Sequence, residues 1–361
     1  RPASEPARET GGEDAPVARF PAGDARGMRR DGLCVFRGIP YALPPTGERR
    51  WRPPAPMPRW DGVREALRPG PACTQPARRS GSIYADEMPA TGEDCLFLDI
   101  WAPDGANDLP VLVWIHGGSL IRGAGSEPLY DGAALARRGA VVVSINYRLG
   151  VFGYLAHPEL SAESPEGVSG NYGLLDQIAA LEWVRRNVAA IGGDPGNVTV
   201  AGESAGALSV LYLMAAPAAR GLFAKAVAQS AYMVSTPALK EARPGHEPAE
   251  AAGERLAARV GAPGIAGLRA MDAQVLADAA QRAGFEPSGA VDGHVLPDQP
   301  VDVFERGGQA GVALVAGFNS GEVRSLRFLL PPLPETAAAY EAEIRSRYGD
   351  LAERVLSLYP S

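Results

Sequence analysis

Apolar residues follow two rhythms along the chain. From about residue 96, short continuous apolar runs recur: Leu96 to Trp101 (LFLDIW), Val111 to Ile115 (VLVWI), Ala140 to Tyr147 (AVVVSINY), Val198 to Ala201, and Val312 to Ala316. Runs of this length suit strands buried on both faces of a largely parallel sheet. Between them the spacing becomes helical. Leu174, Ile178, Leu181, Val184 and Val188 fall on one face, and Gly192 and Gly193 end the pattern. Residues 236–285 are Ala-rich and predict a helical excursion beside the sheet. Alternating strand and helix define an α/β class with a doubly wound, mostly parallel sheet.

The first 95 residues read differently. Residues 1–16 are polar, without periodicity, and predict a flexible leader. Asp31-Gly32 separates two strand-like runs within Gly27 to Ile39, which predicts a β-hairpin. Residues 40–95 are rich in Pro and Arg and predict ordered but irregular chain. The domain expected is therefore 17–361.

Composition narrows the function. With 46% hydrophobic residues the chain can fill a sizeable core, which excludes global disorder. The net charge of −7 argues against nucleic acid as a partner. No run of 18 apolar residues occurs, so no membrane span is expected. Three cysteines allow at most one intrachain disulfide.

The strongest chemical pattern is Gly202-Glu-Ser-Ala-Gly206. A predicted strand runs into it and a helix-forming run follows, the strand–turn–helix context of a G-x-S-x-G nucleophile elbow. The sharp turn holds Ser204 above the carboxyl edge of the sheet. Side chains at 202 or 206 would collide with the neighbouring strand or helix. The N–H of Ala205, at the helix N-terminus, aims at the same spot. A second pattern, His116-Gly-Gly-Ser119, follows the strand 111–115. Its glycines let backbone N–H groups face a ligand closely, and His116 is expected to order this loop rather than act as a base.

With these residues in view, the chain resembles the type-B carboxylesterase family, which includes cholinesterases and para-nitrobenzyl-type esterases. The matching stretches are Val35-Phe-Arg-Gly-Ile-Pro-Tyr-Ala42, Gly92-Glu-Asp-Cys-Leu-Phe-Leu-Asp99, His116 to Ser119, Asn146-Tyr-Arg-Leu-Gly-Val-Phe-Gly153, Gly170 to Gln177, the elbow, Ala228 to Ser230, Val291 to Gly293, and Gly317-Phe-Asn-Ser-Gly-Glu322. They keep the family's order over residues 17–360. The resemblance implies an α/β-hydrolase fold with no cofactor or metal. Ser204 would be the nucleophile, Glu322 the triad acid, and the N–H groups of Gly118, Ser119 and Ala205 the oxyanion hole. Ser119 stands where the family more often has Gly or Ala. Val323 stands where it has Gly after the acid. Cys73 and Cys95 match the family's first disulfide, worth about 3 kcal/mol for 21 intervening residues by chain-entropy reckoning, and a bridge there implies a secreted or periplasmic protein. Cys34 is expected to be a buried free thiol. No tryptophan lies between Cys73 and Cys95; only Tyr84 is aromatic there, which argues against cation–π recognition of a quaternary ammonium substrate.

The resemblance also implies a histidine after the acid, about a hundred residues beyond Glu322. The four histidines, His116, His157, His246 and His294, all precede it. The expectation is a chain lacking the C-terminal portion of the fold, with the base on a second chain, on a further segment, or deleted. The implied activity is a serine carboxylesterase acting through an acyl-enzyme on small or aromatic esters. A lipase or polyester hydrolase falls in the same reaction class. The competing reading is a catalytically silent binding or adhesion module on the same scaffold.

Overall fold

The structure is a computed structural model that describes residues 15–77, 89–232, 235–243, 246–262, 264–322 and 332–361. Most of the expected leader lies outside these residues. Val17 already pairs in a sheet, and the Pro16 carbonyl accepts the Gly27 N–H at 2.9 Å.

The described strands are β1 (Val17–Phe20), β2 (Gly23–Arg26), β3 (Met28–Arg30), β4 (Leu33–Pro40), β5 (Val63–Glu65), β6 (Ala72–Cys73), β7 (Thr91–Gly92), β8 (Phe97–Pro103), β9 (Leu109–Ile115), β10 (Val141–Ile145), β11 (Gly193–Glu203), β12 (Lys225–Gln229) and β13 (Ala313–Gly317). Eight of them form one sheet in the order β13-β12-β11-β9-β10-β8-β4-β3. The pairs from β13 to β10 are parallel, and those from β10 to β3 antiparallel. The expected parallel sheet thus carries a three-stranded antiparallel edge, where β3 and β4 make the predicted hairpin. Asp31 (φ 51°) and Gly32 (φ 76°) both take the left-handed conformation that a two-residue hairpin turn of this hand needs.

The helices are α1 (Ala133–Ala136), α2 (Gly150–Tyr154), α3 (Pro158–Glu163), α4 (Tyr172–Asn187), α5 (Ala205–Ala215), α6 (Ala249–Arg259), α7 (Ile265–Ala270), α8 (Ala273–Arg282), α9 (Pro300–Glu305), α10 (Ala337–Tyr348) and α11 (Ala352–Leu358). The five residues that predicted one face of α4 are all buried. The helix stops at Asn187, a short 3-10 turn follows, and Gly192 (φ 78°) caps it in the left-handed conformation. All eleven residues of α5 are buried, as suits a helix that is apolar all round.

The predicted helical excursion is α6, α7 and α8. These pack Leu256, Ile265, Leu268 and Leu276 with Trp51, Phe152 and Leu160 in a second core. Arg50 ties it down. Its guanidinium grips Glu93 through two bonds (2.7 and 2.6 Å) and donates to the carbonyls of Leu268 and Met271. On the surface of the same region, Arg269 of α7 grips Glu163 of α3 through two bonds of 2.7 Å.

Two expectations need correction. Strand β12 (KAVAQ) was not predicted, because its polar ends leave only Ala226 and Ala228 fully buried. Cys34 is half-buried rather than buried, with its thiol 3.7 Å from an Asp104 carboxylate oxygen; strand alternation turns Leu33 and Val35 inward and Cys34 to the other face.

Contacts group the chain into two units, Arg1–Gly317 and Phe318–Ser361, where sequence predicted one domain from residue 17. In the second unit, α10 and α11 are joined by Arg345, which bridges Glu341 (3.1 Å) and Glu353 (2.9 Å), and by the Tyr340 hydroxyl, which donates to the Tyr359 carbonyl (2.8 Å). Among the described residues, no helix is long and apolar enough to cross a membrane, and no group of three His, Cys, Asp or Glu could hold a metal ion.

Candidate active site

Strand register brings two of the predicted elements together. Gly202 of β11 lies opposite Ile115 of β9, and Glu203 lies opposite Gln229 of β12. The chain therefore leaves β9 at His116 and leaves β11 at Ser204 from neighbouring parallel strands, at their carboxyl ends. This is the edge where open α/β sheets place ligand sites.

Ser204 sits between β11 and α5 with φ 55° and ψ −119°, and it is half-buried. Its N–H donates to the Gln229 carbonyl (2.9 Å), and its carbonyl accepts the Leu208 N–H (2.9 Å). Packing explains the flanking glycines. A Cβ on Gly202 would lie 2.4 Å from the Gly206 carbonyl carbon, and one on Gly206 would lie 2.1 Å from the Ile115 oxygen. Backbone on both sides leaves nothing that could move aside. Ala205 opens α5, so its N–H belongs to the first turn, which has no intrahelical acceptor.

The His116 to Ser119 loop lies against this turn. A Cβ on Gly117 would come 2.8 Å from the Glu203 carbonyl oxygen and 3.4 Å from Ser204 Cβ. Gly118 has φ 103°, and Ser119 and Leu120 follow at 58° and 59°, so the loop folds back. Its return is closed by the N–H groups of Ile121 and Arg122, both donating to the Gly118 carbonyl at 3.0 Å. Among the described residues, the N–H groups of Gly118 and Ser119 donate to no other group, and both residues are exposed.

His116 orders this loop, as expected. It is buried, its Nδ1 donates to the Gly117 carbonyl (2.8 Å), and its ring stacks on Tyr147 (4.6 Å between centroids). The Tyr147 hydroxyl donates to the His116 carbonyl (2.8 Å). Burial raises the Tyr147 pKa far above that of an ordinary phenol, so the donor stays protonated at any working pH.

The other three histidines hold structural posts. His157 caps α3, accepting the Glu159 N–H at Nδ1 (3.2 Å). His246 exchanges backbone bonds with Arg243. His294 lies in a turn in which Asp292 accepts the N–H groups of residues 294 to 296.

Glu322 belongs to the second unit. It closes a turn, accepting at Oε1 both the backbone N–H (3.0 Å) and the side-chain Nδ2 (3.3 Å) of Asn319. Val323, the departure from the family pattern, lies outside the described residues, as does Tyr84.

Cys73 and Cys95 form the expected disulfide, buried, with Cα atoms 4.9 Å apart. One partner of the site was not foreseen from sequence. Gln75, two residues past the disulfide, is buried and bonds the backbone of Gly123 beside the His116 loop. Its only sequence cue was its closeness to Cys73.

A family model described as the carboxylesterase family matches residues 14–351. The fumonisin B1 esterase of Sphingopyxis macrogoltabida is 41% identical over 96% of this chain, and the para-nitrobenzyl esterase of Bacillus subtilis is 39% identical over 94%. The chain spans 63% and 69% of those two proteins. A solved thermophilic para-nitrobenzyl esterase superposes with a TM-score of 0.80 at 37% identity, covering 95% of this chain and 71% of its own. Nothing in these relatives supports a second chain as the source of a catalytic base. An eight-stranded sheet with a sharp strand–serine–helix turn, matched along its length by esterases, leaves one assignment: the chain belongs to the carboxylesterase family.

Proposed function

We propose that the protein hydrolyses carboxylic esters through an acyl-enzyme on Ser204. A histidine takes the Ser204 proton as Oγ attacks the ester carbonyl. The N–H groups of Gly118, Ser119 and Ala205 stabilise the tetrahedral oxyanion. The same histidine returns the proton to the leaving alcohol, and water then repeats the sequence to release the acid. Glu322 orients the imidazole and stabilises its cation. In the family's order the base follows Glu322, which none of the four histidines of this sequence does. Small or aromatic esters are the proposed substrates. The buried Cys73–Cys95 bridge supports an oxidising compartment, hence a secreted or periplasmic protein.

The observation that carries this reading is the packing of Gly117 against Ser204 Cβ, which sets open backbone N–H groups beside a serine in a left-handed turn. The silent-module alternative is not favoured, since both relatives above are named esterases. The test uses the intact protein and a para-nitrophenyl ester. Ser204→Ala is expected to lower kcat by about 10⁵- to 10⁶-fold, and a fluorophosphonate should label Ser204 alone. Equal turnover by the variant, or a label elsewhere, overturns the assignment.

A further inference from the structure

Beside the His116 loop, the backbone at Gly123 is held by the Gln75 side chain. Gly123 (φ 115°) lies against the loop so closely that a Cβ there would fall 2.4 Å from His116 Nδ1 and 2.9 Å from the Gly117 oxygen. Both backbone groups of Gly123 go to Gln75. The Gly123 N–H donates to Gln75 Oε1 (3.0 Å), and Gln75 Nε2 donates to the Gly123 carbonyl (3.0 Å). The same Nε2 also donates to the Cys73 carbonyl (3.0 Å). Gln75 is 4% exposed, so these bonds are made away from water. Cys73 is fixed in turn by its disulfide to Cys95 and by the β6–β7 pairing. An unbroken line of contacts thus runs from the disulfide through Gln75 and Gly123 to His116 and Gly117.

We propose that Gln75 is a positioning residue for the Gly117–Ser119 loop, fixing the N–H groups of Gly118 and Ser119 where the oxyanion develops. Its amide carries a donor and an acceptor on one planar group, so it can satisfy an N–H and a C=O of the same residue at once. Ser and Thr are too short to span both, and a carboxylate lacks the donor. Because an oxyanion hole acts on the transition state and hardly on the bound ester, a loose loop lowers kcat and leaves KM nearly unchanged. This role rests on the esterase reading above.

The experiment compares wild type, Ser204→Ala and Gln75→Met in the intact protein. Methionine keeps the volume and removes all three side-chain bonds. For folded Gln75→Met, kcat is expected to fall about 10- to 100-fold, with KM within about threefold of wild type. Affinity for a trifluoromethyl ketone, which forms the oxyanion on Ser204, should fall in parallel with kcat. Should the methionine variant not fold, Gln75→Glu, which keeps the acceptor but sets an oxygen where Nε2 faces the Cys73 and Gly123 carbonyls, serves the same readout with a drop of at least about threefold. Wild-type kcat and ketone affinity in a folded variant, with only the melting temperature lowered, overturn the role and leave Gln75 purely structural. Unchanged turnover by Ser204→Ala overturns the esterase reading, and this role with it.

Discussion

Ser204 leaves β11 for a helix whose eleven residues are all buried, whereas Glu322 follows β13, whose five residues are all exposed. The hydroxyl is fixed by long-range backbone packing, in which Gly206 abuts Ile115 and Gly117 abuts Glu203. The Glu322 carboxylate accepts two bonds from Asn319 within a turn four residues long. The packing around Ser204 reaches across the tertiary fold, while the bonds from Asn319 stay within one turn. The same family pattern therefore rests on interactions of different range, and their sensitivities to substitution should differ.

The largest expected effect lies on the packed side. Gly206→Ala puts a methyl 2.1 Å from the Ile115 oxygen, and no flexible side chain is available to yield. A loss of at least about 3 kcal/mol in urea unfolding, or failure to fold, is expected. A variant that unfolds at the wild-type midpoint would break the contrast. Next comes Asn319→Ala, which removes the Nδ2 bond and keeps the backbone one. It should lower kcat about tenfold while shifting stability by no more than about 0.5 kcal/mol. Severe unfolding there would show that the acid turn is also held by the wider fold.

The smallest effect lies away from both turns. Two hydrogen bonds from Arg269 hold the Glu163 carboxyl below its ordinary pKa. A carboxylate with a lowered folded pKa adds stability above its unfolded pKa, near 4.3, and that stability is lost as pH falls through the folded value. Arg269→Ala should therefore cost about 0.5 kcal/mol at pH 7, screening and partial exposure keeping it small. The gap should close in acid, as pH falls through the lowered folded value, with ester turnover unchanged. A gap that persists in acid would point to lost packing of the arginine stem instead.

Elements whose residues carry a strong pattern were legible in the sequence. The buried runs of β8 to β11 show as continuous apolar stretches of strand length, the hairpin as Asp31-Gly32 between two strand-like runs, and α4 as a stripe at helical spacing. Strand β12 has two fully buried alanines between polar ends, too little apolar surface to stand out. The small sheet of β1, β2 and β5 was equally faint: it carries Asp24, Arg26 and Arg64, and pairs residues some forty positions apart. The site divides in the same way. Ser204 and the His116 loop sit in local motifs with a mechanical reason for each glycine. Gln75 meets Gly123 across 48 residues of chain, and no periodicity or spacing encodes such a pairing.

The angles of Ser204 have a consequence for how the position can change over time. A φ of 55° with ψ of −119° is native to glycine and costs other residues about 1–3 kcal/mol. A population drifting under selection for thermal robustness alone would favour glycine at 204. A serine there is a standing cost to the fold, as the proposed nucleophile would be.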